Sequence, residues 1–138
     1  FGNADANAAA FTADGWFRTG DLAISDERGY VQITGRVKDI VNRGGIKFNP
    51  ADVELLLRRY TGIRDAAIVP MPDPILGEKA CLFAVCTEGT TLSLDAVRRF
   101  LAEHDVAKLK WPERLIVIDA MPLTPTRKVS KAALARLL

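Results

Sequence analysis

Short alternating stretches open the chain, and longer apolar runs fill its middle. "DLAIS" (residues 21–25) and "GYVQITG" (29–35) alternate apolar and polar residues with period two around "DERG", which predicts a β-hairpin. "DIVNR" (39–43) and "IKF" (46–48) flank Gly44-Gly45, a pair suited to the positive φ angles of a tight hairpin turn. A helix should follow. Asn49 can cap it, Pro50 suits its first turn, and Asp52 adds negative charge where the helix dipole favours it. Val53, Leu56, Leu57 and Tyr60 then share one face, and Gly62 is placed to end the helix. "AAIV" (66–69) and "KACLFAV" (79–85) are near-continuous apolar runs, as central strands require. Between them "PMPDPILGE" carries three prolines and is expected to be irregular. Ser93 can cap another helix with Leu94, Val97 and Leu101 inward, "RLIVI" (114–118) reads as a short strand, and "MPLTPTRK" (121–128) reads as a loop. Ser130 can cap a last helix, with Leu134, Leu137 and Leu138 on one face. Strands and helices interleave, so the fold class is α+β, a small mixed sheet flanked by helices. No internal repeat or low-complexity linker interrupts it.

Composition fits a chain of about one domain: 138 residues, 49% of them hydrophobic, suffice for a real core. A net charge of +2 without a basic arm argues against a nucleic-acid partner. No apolar run approaches the roughly 18 residues of a membrane span. "FGNADANAAAF" lacks the basic and apolar regions of a secretion signal, and it lacks an initiator Met, so the chain is expected to begin inside a longer protein. Cys81 and Cys86 stand five apart on one predicted strand, which sends them to opposite faces and precludes a disulfide. They read as reduced structural thiols of a cytoplasmic protein. His104, the sole histidine, is expected to be a half-buried helix-end residue.

Familiar catalytic signals are missing. There is no GxxxxGK or GxGxxG phosphate loop, no Cys/His spacing for a metal, and no Ser–His arrangement for a triad. What stands out is "GRVKDIVNRGGIKF" (35–48), where four cations and three glycines are threaded with apolar residues. Residue types alone go no further than an α+β domain with a basic hairpin and a basic loop. On that footing Asp21 is a turn residue and Lys128 a solvated lysine before a helix.

Three stretches carry a family resemblance. "GWFRTGD" (15–21), "GRVKDIVNRGGIKFNPADVE" (35–54) and "PLTPTRKVSKAAL" (122–134) resemble three consecutive motifs of the adenylate-forming superfamily, in its order and at about its spacing. That superfamily includes acyl- and aryl-CoA synthetases, peptide-synthetase adenylation domains and luciferase. The resemblance implies an acid–thiol ligase with ATP and coenzyme A as co-substrates. A carboxylic acid and ATP would give an acyl-adenylate and pyrophosphate, and a thiol would then take the acyl group and release AMP. It implies that residues 1–37 are the tail of a large N-terminal domain. Residues 38–138 would be the mobile C-terminal domain, which rotates between the two half-reactions. The rest of the large domain, with the phosphate loop, the acid pocket and the Mg2+ expected with ATP, would lie outside this segment and be its partner.

The resemblance also assigns roles. Asp21 would accept hydrogen bonds from the ribose hydroxyls of ATP, a task suited to an acceptor-only carboxylate, and Arg36 would be the second ribose contact. Lys38 falls at the hinge position, where a polar exposed residue tolerates two backbone conformations. Gly44 and Gly45 would line the channel for the pantetheine arm, where a missing Cβ leaves room for a thin thiol. The hairpin's cations, Lys47 among them, would face nucleotide or CoA phosphates. Lys128 would be the adenylation lysine, stabilising charge that gathers as carboxylate attacks phosphorus. The family normally has Gly before this lysine; here Arg127 stands there, restricting φ and adding bulk. "NRGGIK", "MPDPILGEKACLF" and "FLAEHDVAKLKWPERL" most resemble ligases for aromatic or alicyclic acids, with fatty acids also within the wider family. Siderophore-type aryl-acid enzymes, which load a carrier-protein pantetheine instead of CoA, are the alternative. A non-catalytic nucleotide- or CoA-binding module and a weak RNA-binding domain remain as readings from other classes, though the strands show few of the exposed aromatics that RNA readers present.

Overall fold

The computed structural model describes residues 2–138, which divide into two compact units at Lys38/Asp39. The first unit begins with a helix that the pattern reading did not foresee, α1 (Ala4–Ala10), capped by the Asn3 side chain on the Ala6 N–H. Its predicted hairpin forms from β1 (Asp21–Ser25) and β2 (Val31–Arg36), a two-stranded antiparallel sheet of its own. Asp26 closes the turn, accepting the N–H groups of Arg28 and Tyr30 on Oδ1, and Gly29 supplies φ +83. No described residue of this unit is fully buried. Val37–Asp39 forms one 3-10 turn at the boundary.

The second unit holds the five-stranded sheet. The Gly44-Gly45 hairpin joins β3 (Val41–Arg43) to β4 (Ile46–Phe48), and the two glycines take φ +58 and +87 as a tight hairpin turn demands. Helix α2 (Ala51–Leu57) begins at Pro50, with the Asn49 side chain accepting the Ala51 N–H. It ends sooner than Gly62: a turn through Arg58–Tyr60 follows, and Gly62, at φ +104, instead bends the chain into β5. Strands β5 (Ile63–Asp73) and β6 (Gly77–Cys86) form a long antiparallel pair. Helix α3 (Leu94–Glu103) is capped by Ser93, β7 (Arg114–Val117) runs parallel to β6, and α4 (Lys131–Ala135) is capped by Ser130. The sheet order is β4-β3-β6-β5, with β7 also beside β6, so the sheet is mixed as the α+β reading expects.

The proline-rich stretch is not irregular. Pro70 and Pro72 lie within β5, opposite Ala80 and Glu78. Strand β5 pairs only with β6, so one of its edges is open. Ile68 sends its N–H away from β6, to Glu54 Oε1 at 2.7 Å. A period of two puts Pro70 and Pro72 in the same outward phase, where a missing donor breaks no ladder bond. Only Pro74–Leu76 remain as the turn.

The sheet is apolar on both faces. Ala80, Leu82 and Ala84 of β6 join Ile68, Val53, Leu57, Val97 and Leu101 in one cluster, covered by α2 and α3. Cys81, Phe83 and Val85 join Ala67, Val69, Met121 and Leu134 in the other, covered by α4. The cysteines do face opposite ways: Cys81 sits in the second cluster and Cys86 packs on the first, and both are free thiols. Burial pushes the Cys81 thiol up to about 11, which suits a structural residue. Two further expectations need correction. Leu137 falls beyond the end of α4 and is exposed, leaving Leu134 and Leu138 to face the core. His104 is exposed, its ring 4.2 Å from that of Phe100 and its Nδ1 bonded to the Phe100 carbonyl.

Candidate functional site

In the first unit, Asp21 and Arg36 are paired across the hairpin, each on the end of its strand. Arg36 Nε bonds Asp21 Oδ1 at 2.8 Å, and Arg36 Nη2 donates to the Thr19 carbonyl at 3.0 Å. The Asp21 N–H is held by Thr19 Oγ1 at 3.1 Å. Both side chains remain partly exposed. An acceptor-only carboxylate beside a planar donor fork suits a vicinal diol, because the two hydroxyls can donate to the one and accept from the other. Lys38 lies in the 3-10 turn at the unit boundary and is exposed.

In the second unit, the Gly44-Gly45 turn is held against the β5–β6 turn. The Gly44 N–H donates to the Leu76 carbonyl at 2.7 Å, and Glu78 Oε2 accepts the Asn42 N–H at 2.7 Å. A Cβ on Gly45 would meet no atom within 4 Å, so the glycine is not demanded by packing inside the unit. Its positive φ demands it locally, and the open space beside it leaves room for a thin chain. Lys47 is exposed on β4. Arg43, the hairpin's other cation, is turned inward. Its guanidinium pairs with Glu113 and donates to the carbonyls of Lys108 and Leu109 at 3.3 and 3.1 Å.

Lys128 sits on a closed loop. Leu123 and Val129 form an antiparallel bridge, and the Ser130 N–H reaches the Pro122 carbonyl at 2.8 Å. The Thr124 N–H donates to the Lys128 carbonyl at 2.8 Å, while Thr124 Oγ1 accepts the Lys128 N–H at 3.1 Å. Arg127 occupies the left-handed region at φ +60, one of two described non-glycine residues with positive φ. The arginine therefore adopts the conformation that glycine would supply without steric cost. Both Arg127 and Lys128 are exposed. Three residues on, Lys131 Nζ bonds Glu54 Oε1 at 2.6 Å, the same oxygen that takes the Ile68 N–H. A cation in the first turn of a helix is disfavoured by the helix dipole, so this pairing explains its place there. Glu54, Lys131, Arg43 and Glu113 were not singled out from the sequence. Their partners lie tens of residues away, and no local pattern in the sequence points to them. Among the described residues no group of three His, Cys, Asp or Glu side chains could hold a metal ion, and no helix is long and apolar enough to cross a membrane.

Comparison with known proteins bears on the family. Residues 52–128 match the family described as the AMP-binding enzyme C-terminal domain. The chain is 46% identical over 129 residues to the 2-hydroxy-7-methoxy-5-methyl-1-naphthoate–CoA ligase of Streptomyces carzinostaticus, covering 94% of this chain and 23% of that protein. It is 45% identical over 131 residues to a salicylyl-CoA synthase / salicylate adenylyltransferase of a Streptomyces species, covering 95% and 24%. The crystal structure of ATP-bound MatB from Rhodopseudomonas palustris superposes with a TM-score of 0.85 at 34% identity, over 94% of this chain and 25% of that one. The chain thus spans about a quarter of the length of the relatives it matches. With more than half of its residues matched, and relatives sharing well over a third of their aligned residues, the chain belongs to the AMP-binding enzyme C-terminal domains of the adenylate-forming superfamily.

Proposed function

We propose that this chain is the C-terminal part of an ATP-dependent acid–thiol ligase that makes an acyl-adenylate and then a thioester. The observation that carries the reading is that one unit braces two separate elements, the Lys128 loop and the Gly44-Gly45 hairpin, by separate sets of bonds. A site that must run two reactions in turn needs two such elements. In the first reaction, a carboxylate oxygen attacks the α-phosphorus of ATP and the bond to pyrophosphate breaks. Lys128 places an ammonium beside the oxygens that gain charge. In the second, a thiol attacks the acyl carbon, the bond to AMP breaks, and the thiol proton leaves. The Gly44-Gly45 turn leaves a passage for the pantetheine arm, and Lys47 offers charge toward phosphate. Asp21 and Arg36 hold the ribose, and Lys38 absorbs the backbone change between the two orientations. Among the described residues no cluster of carboxylate, Cys or His groups could hold the metal that accompanies ATP, so the larger domain would hold it. Aromatic acids are the first substrate class to test, because both curated relatives compared above carry aromatic acids in their names.

The test is acid-dependent ATP–pyrophosphate exchange by the full-length protein that carries this segment. The panel is benzoate, salicylate, a hydroxynaphthoate and octanoate, followed by thioester formation with CoA or a carrier protein. Lys128→Ala is expected to slow exchange by about 10²–10³-fold, the scale of losing one such donor. Thioester formation from presynthesised adenylate should stay nearly unchanged. Gly45→Leu is expected to do the reverse. Normal exchange in Lys128→Ala would remove the lysine from the chemistry, and exchange by the isolated 138-residue chain would remove the need for a larger body.

A further inference from the structure

We propose that Arg43 and Glu113 form a positioning clasp for the Gly44-Gly45 hairpin, and so serve thioester formation without touching either substrate. The inference rests on the proposed role of that hairpin. Strands β3 and β4 have three residues each, and a two-stranded hairpin of this size is marginal by itself. It joins the main sheet by a single registered pair, Arg43 opposite Gly77. Backbone pairing therefore leaves its angle to the sheet weakly fixed, and side chains must fix it. Arg43 does so with three partners at once: it forms an ion pair with the Glu113 carboxylate through Nη2, and its Nη1 donates to the carbonyls of Lys108 and Leu109. Glu113 is itself fixed to the central strand, because its Oε2 accepts the Ala80 N–H and its own N–H donates to the Ala80 carbonyl, both at 2.9 Å. Both side chains are largely shielded, 26% and 16% exposed, so solvent screens the pair weakly. A guanidinium can divide these partners between two terminal nitrogens, Nη1 for the carbonyls and Nη2 for the carboxylate, which a single ammonium cannot. The residue next to Gly44 is thus tied through Glu113 to Ala80 in the middle of the sheet.

The experiment uses the full-length ligase and the acid that supports exchange in the panel above. Arg43→Met, Glu113→Gln and the double variant are assayed for pyrophosphate exchange, and for thioester formation from presynthesised adenylate. The thiols are CoA and free pantetheine, which lacks the nucleotide phosphates. Arg43→Met should lower the thioester rate about 10- to 100-fold, the scale of a misplaced reacting group. Exchange should stay within about twofold of wild type. The loss should be the same with pantetheine as with CoA, and the double variant should lose little more than Arg43→Met, because the two residues act as a unit. A loss confined to CoA would mean that Arg43 contacts phosphate directly, and would overturn the clasp. Equal loss of both half-reactions would make the pair merely structural. Fully multiplicative losses would make the two residues independent and also overturn it. If Gly45→Leu blocks thioester formation selectively while Arg43→Met does not, the clasp falls and the hairpin's role stands. If Gly45→Leu is not selective either, the role itself falls.

Discussion

Ile33 and Phe83 are both apolar strand residues, the first in an alternating pattern and the second in a near-continuous apolar run, yet Ile33 is 62% exposed and Phe83 is 0% exposed. The difference is general. In the first unit Trp16, Phe17, Tyr30, Val31 and Ile33 are all more than half exposed, and the hairpin has one layer. In the second, helices cover both faces of the sheet and bury a cluster on each. An alternating pattern states which face of a strand is meant to be covered, but it does not supply the cover. The second unit carries its own in α2, α3 and α4. Within the first unit nothing of that kind is built, which fits the proposal that its hairpin is the tail of a larger domain.

The largest expected effect follows directly. Residues 39–138 expressed alone should unfold cooperatively in urea, with a midpoint close to that of the 138-residue chain. A peptide of residues 2–38 should show no cooperative transition, because a lone hairpin is marginal in water. Circular dichroism on both pieces checks it, and a cooperative transition in the peptide would break the contrast between the units.

Point substitutions sharpen the same contrast. Phe83→Ala should destabilise the chain by about 3–5 kcal/mol, the usual cost of emptying a closed core site. Ile33→Ala should change it by less than about 0.5 kcal/mol, as exposed substitutions do. A large loss for Ile33 in urea titrations would mean that the first unit is better packed than its exposure indicates.

What the sequence made legible divides along similar lines. Local signals read well. Ser93 and Ser130 cap the helices expected of them, Gly44-Gly45 makes the tight turn, and the odd spacing of Cys81 and Cys86 sends them to opposite faces. Signals whose meaning depends on distant neighbours read badly. Three prolines look like an irregular link until Pro70 and Pro72 prove to lie in β5 with an open edge, where no ladder bond needs their missing N–H, and only Pro74 falls in the turn. Leu137 looks inward by helical period until α4 stops at Ala135. The site shows the same limit. The Gly-Gly turn and Lys128 stand within contiguous motifs, whereas Arg43–Glu113 and Glu54–Lys131 join charges 70 and 77 residues apart by number, and no local rule pairs them.

A smaller effect concerns the Lys128 loop. Arg127 holds φ +60, where an L side chain costs about 1–2 kcal/mol relative to the right-handed region. Glycine bears no such cost but has more freedom to lose on folding. Arg127→Gly should therefore raise stability by about 0.5–1 kcal/mol in urea titrations of the 138-residue chain. In the full-length protein, a faster adenylation step would show that the arginine hinders the loop, while a slower one would show that its charge assists Lys128.

The smallest effect lies at the β5–β6 turn. Asp73 bonds Lys79 through its carboxylate and accepts the N–H groups of Leu76 and Ile75 at 2.8 and 3.1 Å. The Lys79 bond chiefly, then the Leu76 N–H, holds its carboxyl at about 2, below its ordinary 3.8. A carboxylate whose folded pKa is depressed stabilises the fold above its unfolded pKa, and the contribution is lost as pH falls through the folded value. The loss should therefore fall between about pH 4 and pH 2. Asp73→Asn should remove that part of the acid limb while leaving the limb above pH 5 parallel to wild type, because an amide can still accept one N–H but neither titrates nor pairs with Lys79. Urea midpoints at half-unit intervals from pH 6 to pH 2 check this. The turn touches Gly44 through the Leu76 carbonyl, so the same titration also asks whether acid loosens the hairpin's support. If the wild type and Asp73→Asn lose stability in parallel down to pH 2, the carboxylate's bonds are no stronger folded than unfolded, and the turn is held by its backbone alone.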